Sequence, residues 1–364
     1  MNVDTQPNRR TLPLIEVEGG PRERGQQQGE GARAQVHLAL ARYQEIIPKA
    51  VQLSWLDAVR EARKFLPYGE EVFPQFIEEI RGIAEGAGIS FEDVWTLNCY
   101  EGLTESRQQV WGCTCLAIRQ EHTDNGHVLL AHNEDWISVD QDTAYLMRVK
   151  PDQGPPLIGM TYGPLLVNIG CNAEGIGVAI NSVYPTDGGV GVPRILCARA
   201  VLNATTISQA IRACVPKLRA GGYSYLLADP YGELYSVETS ATSHDLTYGH
   251  EGWLVHTNHY LSPKMQPLEE RGTYASSHVR LNRARRLLNA QLGQVTVESL
   301  QGLLRDHASY PDSICCHEDP SDPLYERELT LASLVMDLTE RVMWAAPGPP
   351  CVGEYVAYRL GSGS

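Results

Sequence analysis

No uninterrupted apolar run of about 18 residues occurs in this chain, so a membrane-spanning helix and a membrane partner are not expected. Basic residues are also in short supply. Lys and Arg total 30 against 44 Asp and Glu, the formal net charge is -14, and no run of Lys or Arg forms. Nucleic acid is excluded as a partner, because phosphate binding draws on clustered cations. The same long-range field disfavours anionic substrates, although a local basic pocket can override it. The first twenty residues lack the apolar stretch and small-residue cleavage site of a signal peptide, and a cytoplasmic protein is expected.

Several motifs are missing too. There is no G-x-S-x-G elbow, which sets aside the usual serine hydrolase, and no Gly-rich phosphate loop. Cys315, Cys316 and His317 adjoin, and His256 and His259 stand close together, but neither group shows the paired C-x-x-C or H-E-x-x-H spacing of a zinc site. No metal and no cofactor are therefore expected. The nine cysteines are an odd number scattered over a long chain, which does not describe a disulfide framework. Internal repeats, low-complexity tracts and a Pro/Gly/Ser-rich linker are absent as well, so one domain is expected from the 364 residues.

What is present divides at Cys113. Before it, apolar spacings of three and four predict helices over Arg22 to about Val51, Leu56 to Phe65 and Glu70 to Gly86, and Ser90 with Asp93 reads as the N-cap of a further helix. From Cys113 onward strands dominate. CTCLAIRQ and HVLLAHNEDW flank a turn containing Asn125-Gly126, a hairpin signal. Further strands are predicted around 144–149, 165–171, 175–183, 223–227, 234–239, 253–257, 329–337, 341–345 and 355–359. Helices are predicted near 193–203, 208–217, 276–291 and 297–307. Strands gathered in hairpins with helices in separate blocks make an α+β fold.

The switch falls on a Gly-Cys pair, Gly112-Cys113. Two such pairs occur, the other being Gly170-Cys171, so location rather than rarity singles out the first. A cysteine whose own backbone nitrogen becomes a free amine would carry both nucleophile and base, because an α-amine titrates near pH 8. The same thiol could first attack the carbonyl of Gly112, shifting the peptide to a thioester that water opens. Glycine favours this, having no Cβ to obstruct the attack and tolerating strained backbone. The ordinary role of such a residue is a buried strand cysteine.

Around this point the chain resembles the isopenicillin N acyltransferase family of the N-terminal-nucleophile hydrolases. The resemblance is carried by Glu79 to Ala87 (EIRGIAEGA), Gly112-Cys113-Thr114, His132 to Trp136 (HNEDW), His256 to His259 (HTNH) and Arg327 to Leu331 (RELTL), in the family's order. It implies a four-layer αββα sandwich and autocatalytic cleavage between Gly112 and Cys113. The products would be an α chain, residues 1–112, and a β chain, residues 113–364, that stay packed as one compact domain. It also implies roles: Cys113 as nucleophile, Asp135 as the acidic residue beside it, Asn258 as the oxyanion donor and Arg327 as the partner of that acidic residue. Without the resemblance, Asp135 reads as the exposed end of a strand, Asn258 as an amide sealing one, and Arg327, between Glu326 and Glu328, as a solvated charge.

The expected activity is cleavage of a small N-acyl amine through a cysteinyl thioester, with hydrolysis ahead of acyl or aminoacyl transfer. The acidic chain argues against an acyl-coenzyme A donor. A non-enzymatic binding protein on the same fold is the alternative from another class, and a homo-oligomer is compatible with the sequence.

Overall fold

The computed structural model describes residues 11–104, 112–270, 272 and 275–360. The strands are β1 (Leu14–Gly19), β2 (Cys113–Ile118), β3 (Leu129–Ile137), β4 (Ala144–Pro151), β5 (Leu157–Tyr162), β6 (Ile169–Asn172), β7 (Gly177–Val183), β8 (Gly222–Ala228), β9 (Leu234–Thr239), β10 (His244–Tyr248), β11 (Trp253–His256), β12 (Glu328–Asp337), β13 (Val342–Pro347) and β14 (Val356–Arg359). The α-helices are α1 (Pro21–Gly31), α2 (Arg33–Ala50), α3 (Trp55–Ala62), α4 (Leu66–Val72), α5 (Pro74–Ala87), α6 (Phe91–Asn98), α7 (Tyr100–Thr104), α8 (Arg194–Val201), α9 (Ile207–Cys214), α10 (Ala275–Asn289) and α11 (Val297–Leu304).

Two of the predicted long helices are each divided, for local reasons. Ala32 leaves helical dihedrals and separates α1 from α2. Pro74 pushes Phe73 out of the α region and separates α4 from α5. Ser90 caps α6 as expected, accepting the Asp93 amide at 3.0 Å. The Asn125-Gly126 signal marks a left-handed glycine, φ 72°, inside a longer connection between β2 and β3 rather than a two-residue turn. Strands β5 and β10 escaped the sequence reading.

The strands form two sheets. One runs β1-β4-β5-β6-β7-β8-β9-β10 and the other β11-β2-β3-β12-β13-β14. They stack face to face, with β2 and β3 of the second against β7 and β8 of the first. Helices α8 and α9 cover the outer face of the larger sheet, and α10 and α11 cover that of the smaller. The chain is thus an αββα sandwich. Helix α5 is tied to α8 by Glu79, which accepts from Arg24 at 3.0 Å and from Arg199 at 3.2 Å in full burial.

The EIRGIAEGA segment has a packing explanation. A Cβ on Gly82 or Gly86 would fall on the carbonyl of Arg22 or Gln26 of α1, and one on Gly25 or Gly29 on carbonyls of α5. Glycine lets these two helices touch backbone to backbone.

Because side chains alternate along a strand, the β2–β3 pair presents two faces. Cys115, Ala117 and Leu130 join the core between the sheets. Leu116, Ile118, Leu129 and Ala131 instead pack under Leu281, Leu288, Leu300 and Leu304 of α10 and α11. Each such leucine contributes roughly 1.5–3 kcal/mol on burial. Among the described residues, no helix is long and apolar enough to cross a membrane.

Candidate active site

Strand register brings the site together. Cys113 at the start of β2 pairs with Glu134 on β3, and Cys115 pairs with His132. All four point between the sheets. The Cys113 thiol donates to Glu134 Oε2 at 3.4 Å, and His132 Nε2 lies 2.9 Å from the same oxygen. His132 Nδ1 in turn is 3.1 Å from Cys115 Sγ. Burial, with the charges of Glu134 and Asp135, pushes the Cys113 thiol well above its ordinary pKa.

Asp135 lies on the opposite face of β3, so its carboxylate stands beside Gly112 rather than beside the sulfur. A Cβ added to Gly112 would come within 3.5 Å of Asp135 Oδ2 and 3.0 Å of Arg280 Nη2. Thr330 of β12, paired with Asp135 in register, donates its hydroxyl to Oδ1 at 2.5 Å. Among the described residues, Oδ2 is buried without a hydrogen-bond partner. Burial pushes this carboxyl well above the usual range, opposed by the Arg280 charge. A β-bulge between Thr330 and Ala332 is what allows this contact. It shifts the alternation by one, so that Thr330 and Ser333 both face the helices.

Asn258 follows β11 and is fully buried. Its Oδ1 accepts the Cys113 amide at 2.8 Å and Arg280 Nη2 at 3.0 Å, and its Nδ2 donates to the Ser182 carbonyl of β7 at 3.1 Å. Donors on one side and an acceptor on the other fix the amide's orientation. The backbone around it is secured by Ser277 Oγ, which accepts the Asn258 amide at 2.7 Å, and by Glu238, which binds His256 at 2.8 Å and the Leu261 and Ser262 amides at 2.6 and 2.9 Å. The neighbouring histidines are therefore engaged in holding this turn. His259 contacts Ser277 Oγ at 2.7 Å, and burial next to His278 lowers it to about 3.

Arg280 of α10 is 3% exposed and donates to the Cys113 carbonyl at 2.7 Å, to Thr114 Oγ1 at 3.1 Å and to Asn258. The sequence reading missed it, although a signal was there: Arg280 sits among Ser277, Leu281, Ala284 and Leu288 on the buried stripe of its helix. Arg327 was the arginine expected to pair with the acidic residue, and it stands elsewhere. Its guanidinium donates to the Asp322 and Pro320 carbonyls at 3.0 and 2.8 Å. Its neighbour Glu328 reaches the site instead, accepting the Gly112 amide at 3.0 Å, and burial raises its carboxyl to about 7. Of the sequence-derived set, the fold gathers Gly112, Cys113, Asp135 and Asn258 and leaves Arg327 outside.

Residues 122–350 match the family described as acyl-coenzyme A:6-aminopenicillanic acid acyl-transferase. The chain belongs to this family. The acyl-coenzyme A:6-aminopenicillanic-acid-acyltransferase 40 kDa form of Emericella nidulans is 25% identical over 311 residues, 83% of this chain and 84% of the relative. The β-alanyl-dopamine/carcinine hydrolase of Drosophila melanogaster is 24% identical over 263 residues, 64% of this chain and 66% of the relative. Among solved structures, penicillin V acylase from Agrobacterium tumefaciens aligns with a TM-score of 0.49 at 15% identity, over 65% of this chain and 83% of that one. A conjugated bile acid hydrolase from Clostridium perfringens aligns with a TM-score of 0.44 at 12% identity, over 69% and 97%. The chain is accordingly an enzyme that acts on amides.

Proposed function

We propose that the chain cuts itself between Gly112 and Cys113 and that the freed Cys113 then opens the amide of a small N-acyl amine through a thioester, with water as the usual acceptor. One observation carries the reading: both sides of a single peptide bond are gripped by buried groups. Glu328 holds the Gly112 amide, Asn258 the Cys113 amide, Arg280 the Cys113 carbonyl and Glu134 the thiol.

In the first step the sulfur bonds to the Gly112 carbonyl carbon, the C–N bond breaks, and the thiol proton passes by way of Glu134 to the departing nitrogen. Water then hydrolyses the thioester, restoring the thiol and leaving a carboxylate on Gly112. The products are residues 1–112 and 113–364, which share one hydrophobic core and stay together. The new α-ammonium keeps Asn258 Oδ1 as an acceptor, and Asp135 Oδ2, without a partner among the described residues, is available as a second.

In turnover the α-amine takes the thiol proton as sulfur attacks the substrate carbonyl and returns it to the leaving amine. Among the described residues, one hydrogen of the Asn258 amide is engaged, by Ser182, which leaves the other for the oxyanion. Acyl transfer to a second amine is the other outcome of the same thioester, and the fungal relative is named for it. The net charge of -14 favours water or a neutral amine over a coenzyme A thioester.

Intact-mass analysis of the purified protein should give two fragments, the larger beginning at Cys113. Cys113→Ala should give one folded, uncleaved chain that releases no amine from a panel of N-acyl amines followed by mass spectrometry. An uncleaved wild-type chain that still turns over, or an active Cys113→Ala, refutes the mechanism.

A further inference from the structure

Away from the nucleophile, the fold collects four metal-ligating side chains that the sequence keeps apart. His307 follows α11, Cys315 and His317 lie in the segment leading into β12, and Cys351 lies in the turn after β13. In sequence only Cys315-Cys316-His317 stands out, without a second ligand pair. Folding supplies His307 from one side and Cys351 from the other.

The ligand atoms of these four residues all lie within 4.8 Å of one another. His317 Nε2 is 3.1 Å from His307 Nε2, 3.5 Å from Cys315 Sγ and 3.4 Å from Cys351 Sγ. Hydrogen bonding accounts for only part of this. An imidazole nitrogen carries either one proton or one lone pair, so it satisfies one neighbour and not three. A shared cation accounts for all of it. With Zn–S near 2.3 Å and Zn–N near 2.0–2.1 Å, a tetrahedral site has ligand-to-ligand edges of roughly 3.3–3.8 Å. Two thiolates would also neutralise a divalent ion, and two sulfurs with two imidazoles select zinc over the hard cations.

We propose that His307, Cys315, His317 and Cys351 form a closed, structural Cys2His2 zinc site, separate from the catalytic thiol. Four protein ligands leave no open position for a substrate. Its place in the fold gives it a purpose. Beside the ligand Cys315, the Ile314 carbonyl accepts Asn133 Nδ2 at 2.7 Å, and the Cys316 amide donates to Thr330 Oγ1 at 3.0 Å, the hydroxyl that holds Asp135. The metal would pin this segment to the turn after β13 and so brace the helix-facing side of the active site. Cys315 is buried and His307 exposed, which leaves the ion a route in from solvent.

The test uses the full, tag-free chain purified without chelator. Elemental analysis should find about one zinc per chain, and Co2+ exchange should give the visible absorption of a tetrahedral thiolate site. His307→Ala and Cys351→Ser, each checked for a native circular dichroism spectrum, should lower zinc retained after dialysis to below about a tenth of an equivalent. Should either variant misfold, the Co2+ spectrum of the wild type carries the test. Three results overturn the proposal: a folded wild type without zinc, a Cys315–Cys351 disulfide seen as a mass deficit of two hydrogens, or zinc that survives Cys351→Ser but is lost with Cys113→Ala. The last would move the metal to Cys113, His132 and Glu134.

Discussion

The two faces of the β2–β3 pair are built differently. Toward the opposite sheet, Cys113, Glu134, His132 and Cys115 form a row of groups that can exchange protons, with contacts as long as 3.4 Å. Toward the helices, Thr114, Asn133, Asp135, Thr330, Ser333 and Arg280 are joined by bonds of 2.5–3.1 Å to backbone and to one another. The first face is arranged for reaction and the second for position. Gly112 and Asn258 lie where they meet, so that the Cys113 amide is held by Asn258 while the thiol of the same residue meets Glu134 on the other face.

If this division holds, Glu134→Gln has the largest effect on self-cleavage. Glutamine keeps the size and can still meet His132, but it cannot accept the thiol proton. Self-cleavage of freshly folded precursor, followed by gel electrophoresis, should slow by about 10²–10³ with little change in melting temperature. Cleavage at the wild-type rate would remove Glu134 from the mechanism.

Asn258 belongs to both faces, and its variant should show both kinds of damage. Asn258→Ala should lower kcat of processed enzyme by about 10²–10³ through the lost oxyanion donor. It should also cost about 2–3 kcal/mol in denaturant unfolding, because the Cys113 amide, Arg280 and the Ser182 carbonyl lose a buried partner. An Asn258 that served only as an oxyanion donor would matter little to stability. Full burial with three partners makes the residue structural as well.

On the positioning face the order reverses. Thr330→Val keeps the shape but leaves both Asp135 oxygens without a hydrogen-bond partner among the described residues, so unfolding should show a loss of about 1–3 kcal/mol while cleavage slows by no more than about tenfold. A larger kinetic than thermodynamic effect would make Thr330 part of the chemistry.

The same contrast explains what could be read from the sequence. The helical block, the switch at Cys113 and most strands follow from local periodicity and caps, and HNEDW and HTNH lie where the site is. The sequence points to Asp135 and passes over Glu134, because which of two adjacent carboxylates meets the thiol depends on strand register with Cys113. Thr330 depends on a bulge one residue away, which no pattern announces. Arg280 approaches from a helix more than 160 positions downstream, and only its place on an apolar stripe hints at burial. The arginine expected from the resemblance, Arg327, differs from the one beside the peptide for the same reason: motif position does not encode which helix leans on the sheet.

The last prediction concerns the pH dependence of stability, and it resides on the helix side. His259, against Ser277 of α10, is held down to about 3, and Glu328 is pushed up to about 7. Their signs oppose. His259 is stabilised neutral, so its contribution is complete above its unfolded value near 6.5 and is lost as pH falls toward 3, where the unfolded chain binds the extra proton. Glu328 is stabilised protonated, so its contribution is complete below about 4.5 and is lost as pH rises through about 7. Between about pH 4.5 and 6.5 the two slopes, each at most about 1.4 kcal/mol per pH unit, offset one another. His259→Gln should unmask the Glu328 slope, and its stability relative to wild type should fall as pH rises across this window. Glu328→Gln should do the reverse. Urea titrations of both variants at matched pH values provide the measurement. Parallel curves for wild type and both variants would mean that neither group changes its protonation on folding.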